Sequence, residues 1–306
     1  MRRSKVARLT AGAAGLLALS LFTAACGGGS DEAGNFPKAP NGDKKEITIG
    51  WVSGWDEDLV ATHLWKKVLE SKGYTVKLQN LEAAPLYQGM AKGDIDLYLD
   101  TWLPVTHADY WKQHQDDLED IGVWYDKAKL TIAVPNYMKD VNSIADLKGK
   151  GGELNGEIVG IEPGAGLTRV TEDEAIPKYG LKDEYKLTKS STPAMLTELK
   201  RATEKKKPIV VTLWRPHWAY SKFPVKDLQD PQGAMGATEK VHTTAREGFS
   251  KDFPKLAGWL KKFKMNDEDL GTLEDTVINK YGKGKEAQGT EEWMKENPDF
   301  VKQMTS

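Results

Sequence analysis

Three tryptophans of this chain stand at the ends of strand-like runs and among polar or proline neighbours. They are Trp55 in GWVSGWDED, Trp102 in LDTWLPVTH and Trp214 in VVTLWRPHWAY. An indole face is electrically negative, so rings that converge on one point attract a cation. A quaternary ammonium suits such a cage best, because it has no N–H to donate and holds its water loosely. Each face contributes roughly 0.5–2 kcal/mol, so three approach about 6 of the roughly 8 kcal/mol that micromolar binding requires. A carboxylate would also draw in cations, but sodium, potassium and lysine along with them. For any one of the ten tryptophans, packing in the core is the ordinary role, and Trp65, Trp111 and Trp259 fall within helical patterns.

Two further features complement a cage. In IEPGAGLT the N–H groups of Gly166 and Leu167 open a helix after a strand, which suits an anionic oxygen. The same glycines also fit an ordinary strand-to-helix turn, and no GK[ST] or GxGxxG spacing marks a nucleotide loop. His107 is either a surface or capping histidine or a hydrogen-bond donor to a carboxylate. A cation at one end and a carboxylate at the other describe a betaine.

Enzymatic readings find less support. The five histidines, His63, His107, His114, His217 and His242, show no HExxH or similar metal spacing, and GxSxG is absent. The paired carboxylates Asp56 with Asp58 and Asp94 with Asp96 read as helix-start charges and solvated turn residues. A carbohydrate-binding or carbohydrate-active protein would also expose tryptophans, and it stands as the alternative of another class.

The elements that must position these residues follow an α/β order. EITIGWVS reads as strand and DEDLVATHLWKKVLESKG as helix, with Val60, Leu64 and Val68 on one face and Gly73 as terminator. YTVKLQNL is strand, PLYQGMAKG a short helix closed by Gly93, and IDLYLD strand. After LTIAVP a second cycle begins, with strands at EIVGIEP, YKLTKSS and PIVVTLW and helices at LTRVTEDEAIPKYG and PAMLTELKRATEKKK. Two such cycles predict two α/β lobes with a ligand cleft between them. The tail from Phe249 reads as helical, with Leu256, Trp259, Leu260 and Phe263 apolar, and is expected to return to the first lobe. The division is 46–134 for the first lobe, 135–236 for the second and 237–306 for the return.

The 306 residues are 39% hydrophobic and 29% charged. Residues 1–25 have the order of a secretory signal, a basic run followed by a short apolar run and small residues. That apolar run is shorter than the roughly 20 residues that span a bilayer. Cys26 is the only cysteine, so it forms no disulfide within the chain. TAAC before GGGSDEAGN resembles a bacterial lipoprotein processing site, with Thr23 where that pattern usually has Leu; a free cysteine in a secreted protein is the alternative. Residues 26–45, rich in Gly, Ser, Pro and Asn, read as a flexible tether. Removal of Arg2, Arg3, Lys5 and Arg8 with the signal would take the net charge from −2 to −6, which argues against nucleic acid.

GWDED, DTWLPVTH, IEPGAGL, ELKRATEKKKPIVVTLWRPHW and VHTTAREGF resemble the substrate-binding proteins of glycine betaine/proline betaine ABC importers, from about Glu46 onward. The resemblance implies a two-lobed periplasmic-binding fold of type II-like architecture. It implies an aromatic box of Trp55, Trp102 and Trp214, with the carboxylate held by His107 and the backbone of Gly166 and Leu167. The partners it implies are a membrane permease and its ATPase. With the missing enzyme motifs and the Cys26 segment, the expectation is a non-enzymatic receptor without cofactor or metal, lipid-anchored at the outer face of the cytoplasmic membrane, which as a tethered receptor works as a monomer. Choline or carnitine is the alternative ligand. Leu213 and Arg215 depart from the glycine and small polar residue expected around Trp214. Arg215 either strengthens carboxylate capture or pairs with an acidic residue across the cleft.

Overall fold

The first strand–helix alternation folds close to the boundaries its pattern sets. β1 (Glu46–Trp51), α1 (Asp56–Ser71), β2 (Thr75–Asn80), α2 (Ala83–Ala91) and β3 (Leu97–Leu103) follow in order in the computed structural model, which describes residues 37–306. Gly73 and Gly93 take φ of +88° and +80° just beyond the two helices, a left-handed conformation that favours glycine. β1 pairs in parallel with both β2 and β3, so its apolar residues are covered on both faces and Ile47 and Ile49 are fully buried.

After α3 (Ala108–His114) comes β4 (Leu118–Pro135), a strand of 18 residues. The second cycle holds β5 (Glu157–Val159), α4 (Gly166–Arg169), α5 (Ile176–Lys178), β6 (Lys186–Thr188), α6 (Thr192–Glu204) and β7 (Val211–Arg215). A π-helical segment, Val170–Ala175, joins α4 to α5. α7 (Ala219–Lys222), β8 (Val225–Asp227) and β9 (Glu239–Arg246) precede the C-terminal helices α8 (Phe249–Asp252), α9 (Pro254–Lys262), α10 (Asp267–Glu274), α11 (Glu286–Glu296) and α12 (Pro298–Gln303).

The strands form one sheet in the order β2-β1-β3-β9-β4-β7-β5-β6, with β8 also on β4. Two parallel groups of three, β2-β1-β3 and β7-β5-β6, are joined through the antiparallel pair β9-β4. From Leu118 to Ala128, β4 pairs with β9; from Lys129 to Ala133 it pairs with β7. A single strand therefore belongs to both halves. The sequence pattern marks only its last residues, LTIAVP, and does not mark β9. For β9 the reason is that Glu239, Thr243 and Thr244 are among its buried residues; for β4 it lies in the register, which shifts between Asp120 and Gly122, Val123 and Tyr125, and Tyr125 and Ala128. Each shift breaks the period of two that marks a strand.

The C-terminal helices return to the first half, where α10 and α11 pack on α1, and α9 packs on β4. Trp65 of α1 meets Phe263 edge-on at 5.3 Å, and Phe263 stacks on Trp124 of β4 at 5.6 Å. No helix among the described residues is long and apolar enough to cross a membrane.

The signal segment 1–25 and Cys26 lie outside the described residues. The tether expected over 26–45 requires correction from residue 37 onward. Lys38 bridges Lys44, and Ala39 and Asp43 are buried. The Asp43 carboxylate accepts from the Tyr74 hydroxyl at 2.6 Å and from the backbone N–H groups of Lys255 and Leu256 at 3.0 and 2.9 Å. Those two amides belong to the first turn of α9, whose N-cap residue Phe253 offers no side-chain oxygen. A carboxylate more than two hundred positions away thus caps the helix. Asp43→Ala is expected to lower the unfolding free energy by about 2–3 kcal/mol, read from urea denaturation, because it strands buried donors that had a charged acceptor.

Candidate functional site

Each of the three tryptophans lies at the carboxyl end of a strand, where α/β sheets bind ligands. Trp55 occupies the N-cap position of α1 just after β1, whereas Trp102 and Trp214 lie inside the last turns of ladder in β3 and β7 rather than beyond them. All three are buried, and they line one cavity. His107, Gly166 and Leu167 line the same cavity, so the six candidate residues, drawn from five separate segments, meet in one place. Leu130 of β4 and Ile161 complete its apolar wall.

Two buried carboxylates hold two of the indoles. The Nε1–H of Trp102 donates to Asp100 Oδ1 at 2.6 Å, and the Nε1–H of Trp214 donates to Glu57 Oε2 at 2.8 Å. Asp100 and Trp102 are two apart on one strand and so share a face. A ring fixed by its N–H cannot swing, and its face stays where the cavity needs it. Trp55 stacks on the His107 ring at 5.3 Å with an interplanar angle of 16°.

His107 sits at the N-cap position of α3 but makes no capping bond with its side chain. Its Nδ1 instead accepts the backbone N–H of Trp102 at 3.0 Å, which places the ring proton on Nε2. Nε2 is buried in the wall of the cavity and has no partner among the described residues. Burial pushes the His107 pKa down to about 3, with the nearby Arg169 charge acting in the same direction. The ring is therefore a neutral donor at physiological pH.

Gly166 opens α4 in van der Waals contact with the segment that carries His107. A Cβ placed on Gly166 would lie 2.0 Å from the carbonyl oxygen of Thr106, so only glycine allows this approach. Thr106 is itself fixed, since its N–H and that of Val105 both donate to Glu239 at 2.8 Å. Around the same seam the Tyr110 hydroxyl donates to the Gly164 carbonyl, and Arg169 donates to the Val105 carbonyl, each at 2.8 Å. Arg169 also pairs with Asp109 at 3.1 Å. The N–H groups of Gly166 and Leu167 stand in the first helical turn, where no carbonyl precedes them to accept.

The acidic residues depart furthest from the sequence reading. Asp56 and Asp58 do open α1, as expected, but with Glu57 between them they are buried rather than solvated, and Asp100 is buried too. Asp58 accepts the N–H of Val52 at 2.7 Å and the Thr62 hydroxyl at 3.1 Å; Asp56 accepts the Nε1–H of Trp218. Burial pushes Asp56 up to about 7 and Glu57 to about 8, and holds Asp58, Asp100 and Glu274 above the usual carboxylate range. His217 Nε2 lies 3.6 Å from Asp56, but burial pushes its pKa down to about 3, so the contact is not an ion pair. Glu57 and Asp100 line the cavity and were not among the candidate residues. For Asp100 the available signal was its spacing, two positions before Trp102 in DTW; Glu57 offered none, because its indole partner Trp214 lies 157 positions away. Of the other acids singled out, Asp94 is exposed, and Asp96 accepts from Thr48 N–H and pairs with Arg246.

Arg215 follows Trp214 on the strand and so points to the opposite face. It pairs with Asp227 at 2.7 Å and lies 3.6 Å over the Tyr220 ring, and it is not among the residues lining the cavity. Pairing with an acid therefore holds, but the acid lies on β8, which shares β4 with β7, and not across the cleft as expected.

Comparison with known proteins shows the family of the chain. Residues 45–296 match the family model for the substrate binding domain of ABC-type glycine betaine transport systems. The glycine betaine/carnitine transport binding protein GbuC of Listeria monocytogenes is 38% identical over 159 residues, which is 52% of this chain and 52% of that protein. The alignment thus spans about half the length of this curated relative. A crystal structure of the glycine/betaine/L-proline-binding protein ProX of Borrelia burgdorferi is 33% identical, with a TM-score of 0.81 over 86% of this chain and 97% of that one. Lactococcal OpuAC, closed and complexed with glycine betaine, is 31% identical, with a TM-score of 0.79 over 86% of this chain and all of that one. With its two-part α/β fold and the match over 45–296, this chain belongs to the family of substrate-binding domains of ABC-type glycine betaine transport systems.

Proposed function

We propose that the protein captures glycine betaine, or a closely related quaternary ammonium solute, outside the cytoplasm and delivers it to an ABC permease and its ATPase. The observation that carries this reading is the convergence of Trp55, Trp102 and Trp214 on one cavity that also holds a neutral, unpartnered N–H donor on His107. The indole faces take the methylated nitrogen, which offers no hydrogen bond and so must be held by ring electrostatics and contact. The carboxylate takes the Nε2–H of His107 and the N–H groups of Gly166 and Leu167. None of these groups does chemistry on the ligand, in keeping with a carrier rather than an enzyme. A lipid on Cys26 would keep the receptor, as a monomer, at the outer face of the membrane near its permease. The lobes divide near residues 134 and 236, with β4 and β9 passing between them. Choline or carnitine is the second reading, favoured by the buried Glu57 and Asp100 beside the cage. The carbohydrate alternative gains no support from the family match.

Intrinsic tryptophan fluorescence is expected to change saturably with glycine betaine and to stay flat with glucose oligomers; silence at millimolar betaine would sink the proposal. Trp102→Ala and Trp214→Ala should each weaken affinity about tenfold or more, the equivalent of roughly 1.4 kcal/mol or above. If calorimetry finds both variants folded and binding normally, the cage assignment is wrong. His107→Ala should cost betaine more affinity than choline, which lacks the carboxylate. Gly166→Ala should weaken betaine by at least about tenfold and lower the thermal unfolding midpoint as well, because the added methyl would meet the backbone carbonyl of Thr106 and force the helix start away from it.

A further inference from the structure

An aromatic cage does not need carboxylates, yet two of them line this one. Glu57 accepts the Trp214 N–H with Oε2, and Asp100 accepts the Trp102 N–H with Oδ1, while Asp100 Oδ2 is buried without a partner among the described residues. The charges around the pair are mostly of like sign. Asp56 and Asp58 flank Glu57 on α1, and Glu274 of α10 acts on Glu57 from outside the cavity. Tyr87 of α2 and Tyr98 of β3 add phenols, both held protonated by burial. His107 and His217 face the group as neutral rings. Arg169 of α4 is committed to Asp109 and the Val105 carbonyl. Among the described residues no lysine or arginine forms an ion pair with Asp56, Glu57, Asp58, Asp100 or Glu274.

We propose that Glu57 and Asp100 hold at least one proton between them in the empty site and release it to bulk water when a quaternary ammonium enters, so that capture of the cation is coupled to loss of a proton. The inference rests on the reading of this cavity as a quaternary ammonium site. The indole N–H bonds supply the coupling. An ionised acceptor polarises the indole through its N–H and makes the ring face more negative, which strengthens attraction for the cation. The cation in turn favours the ionised acceptor. Deprotonation and binding therefore help each other through the same two hydrogen bonds. The entering positive charge takes the place of the missing lysine or arginine, which also makes Glu57 and Asp100 specificity-determining: a neutral isostere of the ligand would leave the proton in place.

The sign of the pH dependence follows from linkage. Because the cation lowers the pKa of its neighbouring carboxylates, the empty protein binds more protons than the complex. Affinity then rises with pH through the weakly acidic range and levels off above about 8, where Glu57 of the empty site titrates. One full proton corresponds to about tenfold in affinity per pH unit.

Titration calorimetry of the full chain with glycine betaine near pH 6.5, in phosphate and in imidazole buffer, tests this directly. The two buffers take up a proton with different enthalpies, so the apparent binding heats should differ by close to one proton's worth. Affinity should rise by up to about tenfold per unit between pH 6 and 8. Glu57→Gln, which keeps an acceptor for the Trp214 N–H, should lose most of the buffer dependence. Equal heats in both buffers with binding intact would overturn the proton coupling and leave the receptor reading standing. Absence of binding by betaine, choline and carnitine alike would overturn both.

Discussion

A buried carboxylate that accepts an indole N–H is the interaction on which this site depends. Trp102 and Trp214 are held in this way by Asp100 and Glu57, and Trp55 is held by stacking on His107. A ring that could rotate would present its face to the cavity only part of the time, and ligand binding would carry the cost of ordering it. With N–H and face both fixed, the rings of the proposed cage would need no ordering when a ligand arrives. His107 is fixed by the same logic, since its Nδ1 is occupied by the Trp102 amide and only Nε2–H is left for the cavity.

The sheet brings these pieces together. β1 and β3 place Trp55 and Trp102 at one set of strand ends, β7 places Trp214 at another, and the turn after β5 places Gly166 and Leu167. The two parallel groups would be separate sheets without β4 and β9, which run between them as an antiparallel pair. Leu130 of β4 lies in the cavity wall, so the strand that joins the halves also touches the site. The seam is tight enough that one added methyl at Gly166 would clash with the Thr106 carbonyl.

Burial of several carboxylates beside one cavity is costly in an apolar setting. Three of them open α1, where the helix dipole favours negative charge, and each has found a donor: Asp56 has the Trp218 indole, Glu57 the Trp214 indole, and Asp58 the Val52 amide with the Thr62 hydroxyl. Those bonds offset part of the desolvation. What remains raises the carboxylate pKa values and leaves the neighbourhood of the cage receptive to positive charge.

Much of this was legible in the residues themselves. Period-two and period-3.6 patterns located β1, α1, β2, α2 and most of the second cycle, because those elements bury one regular face. Tryptophans at strand ends, a histidine five residues after Trp102 and a glycine-rich turn named the six residues that meet in the cavity. β4 was hidden because the extra residues it carries against β9 break its alternation, β9 because Glu239, Thr243 and Thr244 are among its buried residues, and residues 37–45 because an Asp43 carboxylate reads as polar tether until α9 is there to be capped. The DED run was read as a solvated helix start for the same reason, since burial is a property of what packs on top. Sequence specifies which groups exist and which neighbours along the chain they share. Whether an acid faces water or an indole from another strand is decided only when distant segments pack, because solvation and hydrogen-bond partners depend on distances through space.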